Sequence, residues 1–261
     1  DRSLYRNWLN HKGRQLKVSF LRKTGDFAKA EALINDSLAM DKFNMGCRFE
    51  HYLLTEDQNL LAEMTGLMRR WEHTFIEYAL DFGGAGLYDE AILFLESYLS
   101  ETRKVYPMIY YALGYFHACR GEKAHALDYY RKAEKEDHSY CFPNRIEEVL
   151  ILQNALELND RAAKAAYSLG NFWYAARQYD RAIECWETSA AICPDFPTVW
   201  RNLSLAYYNK QDNKAKALEA LEKAFRLDEN DSRILMELDQ LYKRLGYSHE
   251  RRLAFLETHL S

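Results

Sequence analysis

Histidine, cysteine and carboxylate side chains are the residues of this sequence that could bind a metal or transfer a proton. The eight histidines and five cysteines include no H-x-x-x-H, H-E-x-x-H or C-x-x-C spacing, and those spacings place two ligands on one face of a helix or turn. The carboxylates of Glu147 and Glu148 are neighbours in the sequence, so on a helix they point in different directions and cannot act as an acid–base pair. We therefore predict no metal site, no cofactor and no catalytic residue.

One glycine-rich stretch, Gly83-Gly84-Ala85-Gly86, could be a phosphate-binding loop. A phosphate cradle needs a preceding strand and a following Lys-Ser or Lys-Thr pair, and the sequence has neither here. The G-x-S-x-G pattern of a serine nucleophile is also absent from the sequence. We interpret the stretch as a tight turn between helices. We predict that the chain is not an enzyme.

The elements that must position any functional residue are helices arranged in an internal repeat. Between residues 163 and 229 a set of residues recurs at offsets of 34 or 35. The first copy contains Leu169, Gly170, Trp173, Ala182, Trp186, Ser189 and Pro194, and the second contains Leu203, Ser204, Tyr207, Ala217, Leu221, Ala224 and Glu229. Apolar residues three and four apart are typical of one helical face, so each copy is a helix pair.

The residue sizes within one copy predict how its two helices pack. A small residue such as Gly170 lets the helices approach closely, and Trp173 and Trp186 fill the space that remains between them. A single pair leaves apolar surface bare on both sides, so several pairs must stack to be stable.

These residues resemble the tetratricopeptide repeat, a 34-residue helix pair. The residues that match its pattern, with two small-residue substitutions, are Ala166, Leu169, Gly170, Trp173, Ala182, Trp186, Ser189 and Pro194. The resemblance implies an all-α fold, an α-solenoid that forms a right-handed superhelix of about six to seven stacked antiparallel helix pairs. It also implies protein partners rather than a reaction. His117 falls at the aromatic core position of another copy, so we expect a packed imidazole there and not a metal ligand.

In this family the first helix of each pair lines the inner wall of the superhelix. The resemblance places on that wall Lys164, Tyr167, Asn171, Tyr174, Arg201, Asn202, Tyr208 and Arg233. The family's clamp for a peptide carboxylate is matched at Asn171, Asn202 and Arg233. Tyr167 and Glu237 stand where the clamp has cations, so we predict instead an amide-and-tyrosine groove that hydrogen-bonds a peptide backbone. An ordinary solvated polar face is the alternative.

Further upstream the equivalent wall is aromatic. It holds Met108, Tyr111 and Tyr115, in a sequence with nineteen tyrosines. Amphipathic rings on a concave face suit contact with a partner, so we predict that Tyr111 and Tyr115 take part in binding. Burial between the helix layers is the alternative.

The composition excludes several other classes of protein. With 261 residues, 48% hydrophobic and 14% aromatic content, the chain can bury a large core and is not disordered. The formal net charge is −4 with both signs interleaved, which argues against nucleic acid as a partner. No apolar run is long enough to span a membrane. An odd number of cysteines without close pairs predicts reduced thiols and a cytoplasmic location.

The repeat register predicts the organisation of the chain. We divide it into residues 1–140, TPR-like repeats that are divergent over 1–70, and residues 141–261, C-terminal repeats that continue the same superhelix. Gly114 and Gly170 are one repeat plus about 22 residues apart, which indicates a register slip near 137–160. There we predict a helix that begins at Cys141-Phe142-Pro143 and ends near Leu158. Its first-helix partner is either missing or reduced to the loop around His138 to Phe142.

Two functions follow as hypotheses. The first is a non-catalytic scaffold that binds a peptide or a partner domain in the concave groove. The second is a structural or dimerisation arm, because residues 140–145 and 196–203 resemble repeat regions of large bacterial proteins. In those proteins the array follows an N-terminal β-rich domain of uncharacterised function, carbohydrate-related by hypothesis. The chain begins without Met, so we expect a fragment whose partner is another protein, another domain of the same polypeptide or a second copy.

Overall fold

The computed structural model describes residues 2–99 and 104–259, and all regular structure in these ranges is helical. Sixteen helices follow one another along the described chain: α1 (Arg2–Arg6), α2 (His11–Lys23), α3 (Phe27–Met40), α4 (Met45–Thr55), α5 (Gln58–Leu67), α6 (Glu72–Gly84), α7 (Tyr88–Leu99), α8 (Pro107–Cys119), α9 (Lys123–Ala133), α10 (Ile146–Leu158), α11 (Ala163–Ala175), α12 (Tyr179–Ile192), α13 (Pro197–Lys210), α14 (Lys214–Leu227), α15 (Ser232–Arg244) and α16 (His249–His259). Over the same ranges, no helix has both the length and the apolar character that a membrane span requires.

The helices group into two compact units, residues 1–126 and 127–261. Within each unit, helices pack mainly against their neighbours in the sequence, as α2 does against α3, α6 against α7, α11 against α12 and α13 against α14. Successive helix pairs of this kind are the building plan of an α-solenoid, so the predicted all-α fold class is confirmed. The handedness of the superhelix, its continuity and the division after residue 140 stay predictions.

Helix starts and stops in the second unit follow from a few residues. Pro197 opens α13, where its fixed φ suits the first turn. The side chain of Asn213 accepts a hydrogen bond from the Lys216 amide and so caps α14, and Asp231 caps α15 in the same way. Gly246, with φ of 85°, closes α15 in a left-handed conformation. These caps define where each helix begins relative to its neighbours.

At the register slip, α10 stands outside the helix pairs, because the helix that follows it, α11, already pairs with α12. Residues 134–145 form no helix, and α10 then packs against α11, which pairs with α12. The predicted end at Leu158 is right, but the start is at Ile146, not at Cys141-Phe142-Pro143. The carboxylate of Glu148 accepts hydrogen bonds from the amides of Asn144 and Arg145 at 2.7 and 2.8 Å. This capping contact sets the helix start after Arg145.

The packing inside the best-matched pair agrees with the residue sizes. The Trp186 ring lies against Gly170, where a Cβ atom would come within 2.4 Å of two ring atoms. Trp186 is buried, and its Nε1 donates to the Tyr167 carbonyl at 3.2 Å. Trp173 is half-buried and packs against the same cluster. The close approach at Gly170 and the role of the two tryptophans are therefore confirmed.

One side-chain contact recurs from one pair to the next. The Tyr207 hydroxyl donates to Glu187 at 2.7 Å, and the Tyr242 hydroxyl donates to Glu222 at 3.0 Å, 35 residues further along the chain. Burial and the neighbouring carboxylate raise the pKa of Tyr207, and the same two causes raise the pKa of Tyr242. The repeat thus extends to polar contacts between pairs.

In the first unit, buried ion pairs join α2, α4 and α7. The Arg22 guanidinium donates to Glu50 at 2.6 Å and to Glu90 at 2.7 Å. Ser19 donates to the second oxygen of Glu50, and Lys23 pairs with Glu90. Burial raises the pKa of Glu90, but hydrogen bonds from Lys23 and Arg22 outweigh it and leave the pKa below its usual value. The divergent N-terminal region is therefore held by a buried charge cluster.

Candidate partner-binding groove

The candidate groove is the face of the second unit formed by α11, α13 and α15, the first helices of three consecutive pairs. The amide of Asn202 in α13 donates to Asn171 in α11 at 3.2 Å. Arg201 in α13 forms a two-point contact with Glu237 in α15 at 2.7 and 2.5 Å. Side chains that the sequence placed on the wall thus link the three helices to one another.

Glu237 does not stand on the groove as an isolated negative charge. Besides Arg201, the guanidinium of Arg233 lies 3.4 Å from its carboxylate. From the sequence, Glu237 stands where the family's carboxylate clamp has a cation, so we expected a negative charge at that point of the groove. In the structure two arginines surround one glutamate, so this cluster carries a net positive charge.

Two tyrosines that we predicted as groove contacts lie in the core instead. Tyr167 is 4% exposed, and its ring packs edge-on against Phe196 at 5.0 Å. Tyr111, in the first unit, is fully buried. A large ring gains more from burial between helices than from solvent contact. Burial was the stated alternative for Tyr111, whereas for Tyr167 the alternative was a solvated polar face. The expectation of partner contact is corrected for these two residues.

Lys164 and Asn171 have structural roles beneath the groove. The Lys164 ammonium donates to the Glu136 carbonyl at 2.6 Å, and its backbone amide donates to Glu134 at 2.8 Å. Asn171 accepts from Trp186 as well as from Asn202, both at 3.2 Å. These side chains fix α11 to its surroundings and orient Asn202.

The remaining predicted tyrosines are half-buried. Tyr174 packs against Tyr179 and Trp186, with ring centroids 5.1 and 5.3 Å away. Tyr208 lies beneath the guanidinium of Arg244 at 5.6 Å. Tyr115 belongs to the first unit, where its ring contacts Phe116. Of these three tyrosines, Tyr208 lines a cavity between α13 and α15.

A cavity of about 320 Å³ lies on the groove between α13 and α15. Its lining residues are Ser204, Leu205, Tyr208, Asn209, Leu221, Glu237, Gln240, Leu241 and Arg244. The sequence analysis missed Leu205, Asn209, Gln240 and Arg244. The repeat spacing could have found them, because Leu205 lies 34 residues after Asn171, and Gln240 and Arg244 follow Leu205 and Asn209 by 35.

A second cavity, of about 520 Å³, shares Asn209 with the first. It is lined by Arg177, Gln178, Tyr179, Asp180, Arg181, Asn209 and Lys210. Two of its three cations rest on aromatic faces, with Lys210 4.0 Å from the Tyr179 ring and Arg181 4.9 Å from the Trp173 ring. Within residues 2–99 and 104–259, no carboxylate forms an ion pair with Arg177, Arg181, Lys210 or Arg244.

No protein-family model matches the chain. Among solved structures it is similar to YrrB, described as a TPR protein with an unusual peptide-binding site, at 16% identity and a TM-score of 0.33 over 90% of this chain and 95% of that one. It is also similar to MamA from Desulfovibrio magneticus, at 20% identity and a TM-score of 0.39 over 72% and 92% of the two chains. A third is the APC/C hetero-tetramer Cut9–Hcn1, at 17% identity and 0.35 over 91% and 50%. The fold described above rests on the helix pairs of the chain itself.

Proposed function

We propose that the chain is a non-catalytic interaction scaffold that binds a peptide segment in the groove of α11, α13 and α15. The observation that carries this proposal is the cavity between α13 and α15. Leu221 and Leu241 supply apolar surface, while Asn209, Gln240 and Arg244 supply polar groups at its rim. An apolar pocket with a few polar groups at its rim is typical of a site that binds one side chain of a peptide and hydrogen-bonds the adjoining backbone.

The amides of the groove suit an extended peptide. Asn202 uses its nitrogen to bond Asn171, which leaves its oxygen to accept from a backbone N–H. Asn209 uses its nitrogen to bond the Leu205 carbonyl, so its oxygen is also available. The two oxygens lie on the same helix, α13, two turns apart in sequence, and so follow the direction of the groove.

The charges favour an acidic segment. Arg181, Lys210 and Arg244 lie at or near helix ends and rest on aromatic rings, not on carboxylates. Arg177 follows the end of α11 and adds a fourth positive charge. A partner with Asp or Glu beside its apolar residue would supply the missing charge, and such complementarity speeds association and selects the partner. The segment belongs to another protein or to another domain of the same polypeptide.

The test is selection of peptides from a random display library on the full chain, followed by affinity measurement by fluorescence anisotropy. We expect acidic peptides with one large apolar residue. Arg244→Glu should weaken the selected peptide by about tenfold or more, because it places like charges in contact. Arg226→Glu is the matched control, since Arg226 is an exposed arginine in the last turn of α14, a second helix of a pair. Equal affinity of the two variants would contradict the proposal.

A second function, self-association, is favoured by apolar side chains around the start of α10. Tyr140, Phe142, Ile146 and Leu150 are 85%, 56%, 64% and 54% exposed. Ile146 and Leu150 are four residues apart in α10 and so share one face of the helix, and exposed apolar surface of this kind is typical of an interface. We expect light scattering to show a dimer at high concentration that is lost in Ile146→Glu/Leu150→Glu. A wild-type chain that stays monomeric at every concentration tested would remove this second function and leave the groove proposal intact.

A further inference from the structure

Three side chains with metal-binding atoms meet where α8 turns into α9. His117 Nδ1 lies 2.6 Å from an oxygen of Glu122, and His125 Nδ1 lies 3.7 Å from the same oxygen. The three ligand atoms are all within 4.8 Å of one another. Tetrahedral zinc, bound at about 2.0–2.1 Å, holds its ligand atoms about 3.3 Å apart. Small side-chain rotations would bring the three atoms to that spacing.

The backbone of the turn holds these residues in place without a metal. Gly121 adopts φ of 81°, and the Glu122 amide donates to the His117 carbonyl at 2.9 Å, so the turn closes on α8. The Glu122 carbonyl in turn accepts from the Ala126 amide at 3.0 Å and begins α9. Two ligands therefore share one closed turn, and the third lies in the first turn of the next helix. A preorganised site of this kind loses little entropy when it binds an ion.

The surroundings leave one oxygen of Glu122 directed at the histidines. Arg120 lies 2.9 Å from the other oxygen and 3.1 Å from Asp89, so it holds the carboxylate in one orientation. A group that orients a ligand in this way is a regular feature of metal sites. The His117 side chain is 11% exposed and that of His125 is 69% exposed, so the cluster is closed on the α8 side and open to solvent at His125.

We propose that His117, Glu122 and His125 bind a divalent transition-metal ion, with zinc the best match. Two imidazole nitrogens and one carboxylate are the donors that zinc, nickel and copper prefer, whereas magnesium and calcium prefer oxygen alone. Water or a group from a partner completes the coordination. The site joins α8 to α9 and shares no residue with the groove of α11, α13 and α15.

This inference departs from the sequence analysis, which predicted no metal site and a packed imidazole at His117. The spacing of 117, 122 and 125 matches no single helix or strand pattern. Only the glycine turn brings the first histidine to the other two residues.

The test is titration of the untagged, chelator-treated full chain with Zn²⁺ by calorimetry and with Co²⁺ by visible absorption. We expect one ion per chain and a higher melting temperature with Zn²⁺, because an ion that binds only the folded chain stabilises it. His125→Ala should keep the fold, since His125 is exposed, and should weaken binding by at least about 100-fold, as even groups that only support a ligand are worth roughly 10- to 100-fold. The control is His249→Ala, an exposed histidine at the start of α16, which should bind like wild type.

Three results would overturn the proposal. They are no binding to the wild-type chain, undiminished binding to His125→Ala, or equal losses in His125→Ala and His249→Ala. The second would show that other groups, such as the free cysteines, hold the ion.

Discussion

Residues 163–227 and the helices α2, α4 and α7 are held together by different means. In the first region, α11 to α14, a glycine admits a tryptophan ring and apolar side chains fill the space between helices. In the second, the carboxylates of Glu50 and Glu90 are buried around Arg22. Apolar packing weakens gradually when an atom is added or removed. A buried charge cluster fails abruptly, because the loss of one member leaves its partner uncompensated.

The polar kind of packing recurs in the second unit, at the register slip. His138 is buried, and its Nδ1 lies 3.0 Å from the Glu136 carbonyl, which also accepts from Lys164. The repeats are thus stabilised by small residues packed against large apolar ones, whereas the non-repeating segments rely on buried polar groups. This difference predicts that substitutions and pH act more strongly on the latter.

The largest effect is expected for Glu50→Ala. The change removes the partner of Arg22 and Ser19 from a fully buried site, so the free energy of unfolding should fall by about 3–5 kcal/mol. Urea denaturation followed by circular dichroism measures this. The control is Glu63→Ala, which removes a carboxylate 55% exposed in its ion pair with Arg48 and should cost less than about 1 kcal/mol. Similar losses in both variants would show that the cluster is not a buried unit.

The next effect concerns pH. Burial lowers the pKa of His138 to about 4, whereas an unfolded histidine titrates near 6.5. Because the folded chain resists protonation, the stability that His138 contributes is complete above pH 6.5 and is lost as pH falls toward 4. The difference between the two pKa values corresponds to about 3 kcal/mol. We expect the melting temperature to fall less between pH 7.5 and 5 in His138→Asn than in wild type; parallel curves would refute the assignment.

Smaller changes in stability, of opposite sign, are expected when the helical glycines Gly170 and Gly66 are each replaced by alanine. Gly170→Ala places a methyl group against the Trp186 ring and should cost about 1–3 kcal/mol. Gly66→Ala in α5 meets open space and should stabilise the chain by about 0.5–1 kcal/mol. Chemical denaturation of the two variants under one condition compares them. A loss at Gly66 as large as that at Gly170 would mean that the contact with Trp186 is unimportant.

The smallest effect is expected at the repeated tyrosines. Tyr207→Phe and Tyr242→Phe each remove one hydrogen bond between pairs and should each cost about 1 kcal/mol. Because the contact is the same in both pairs, the two losses should be equal and should add in the double variant. The free energies of unfolding are measured by chemical denaturation. Unequal losses would show that only the apolar contacts, and not this hydrogen bond, are equivalent from one repeat to the next.

The fold was predictable from the sequence wherever residue size sets the packing. Gly170 and Trp186 indicate a helix pair by their types and spacing, and Pro197 marks a helix start. The buried charge cluster of Arg22, Glu50 and Glu90 was not predictable, because its members are 28 and 40 residues apart and follow no repeat. At the register slip the helix start depends on Glu148, which caps α10 by accepting from the amides of Asn144 and Arg145. That contact is visible only in the folded turn.

The candidate site was predictable only in part. The first helices of the pairs and the contact of Asn171 with Asn202 follow from the repeat. Tyr167 lies in the core because a tyrosine at an inner helix position can turn its ring either to the groove or to the next pair. The position of Arg244 could be read from the repeat spacing, because it follows Asn209 by 35 residues, but only the cavity distinguishes a binding cation from one that complements the end of a helix.

Hydrogen exchange with and without a selected peptide shows whether a partner lies across α11, α13 and α15. Bound peptide should protect amides of α13 and α15 around Leu205–Asn209 and Gln240–Arg244 and should leave the outer faces of α14 and α16 unchanged. Protection confined to α14 and α16, or to the first unit, would contradict the proposed function.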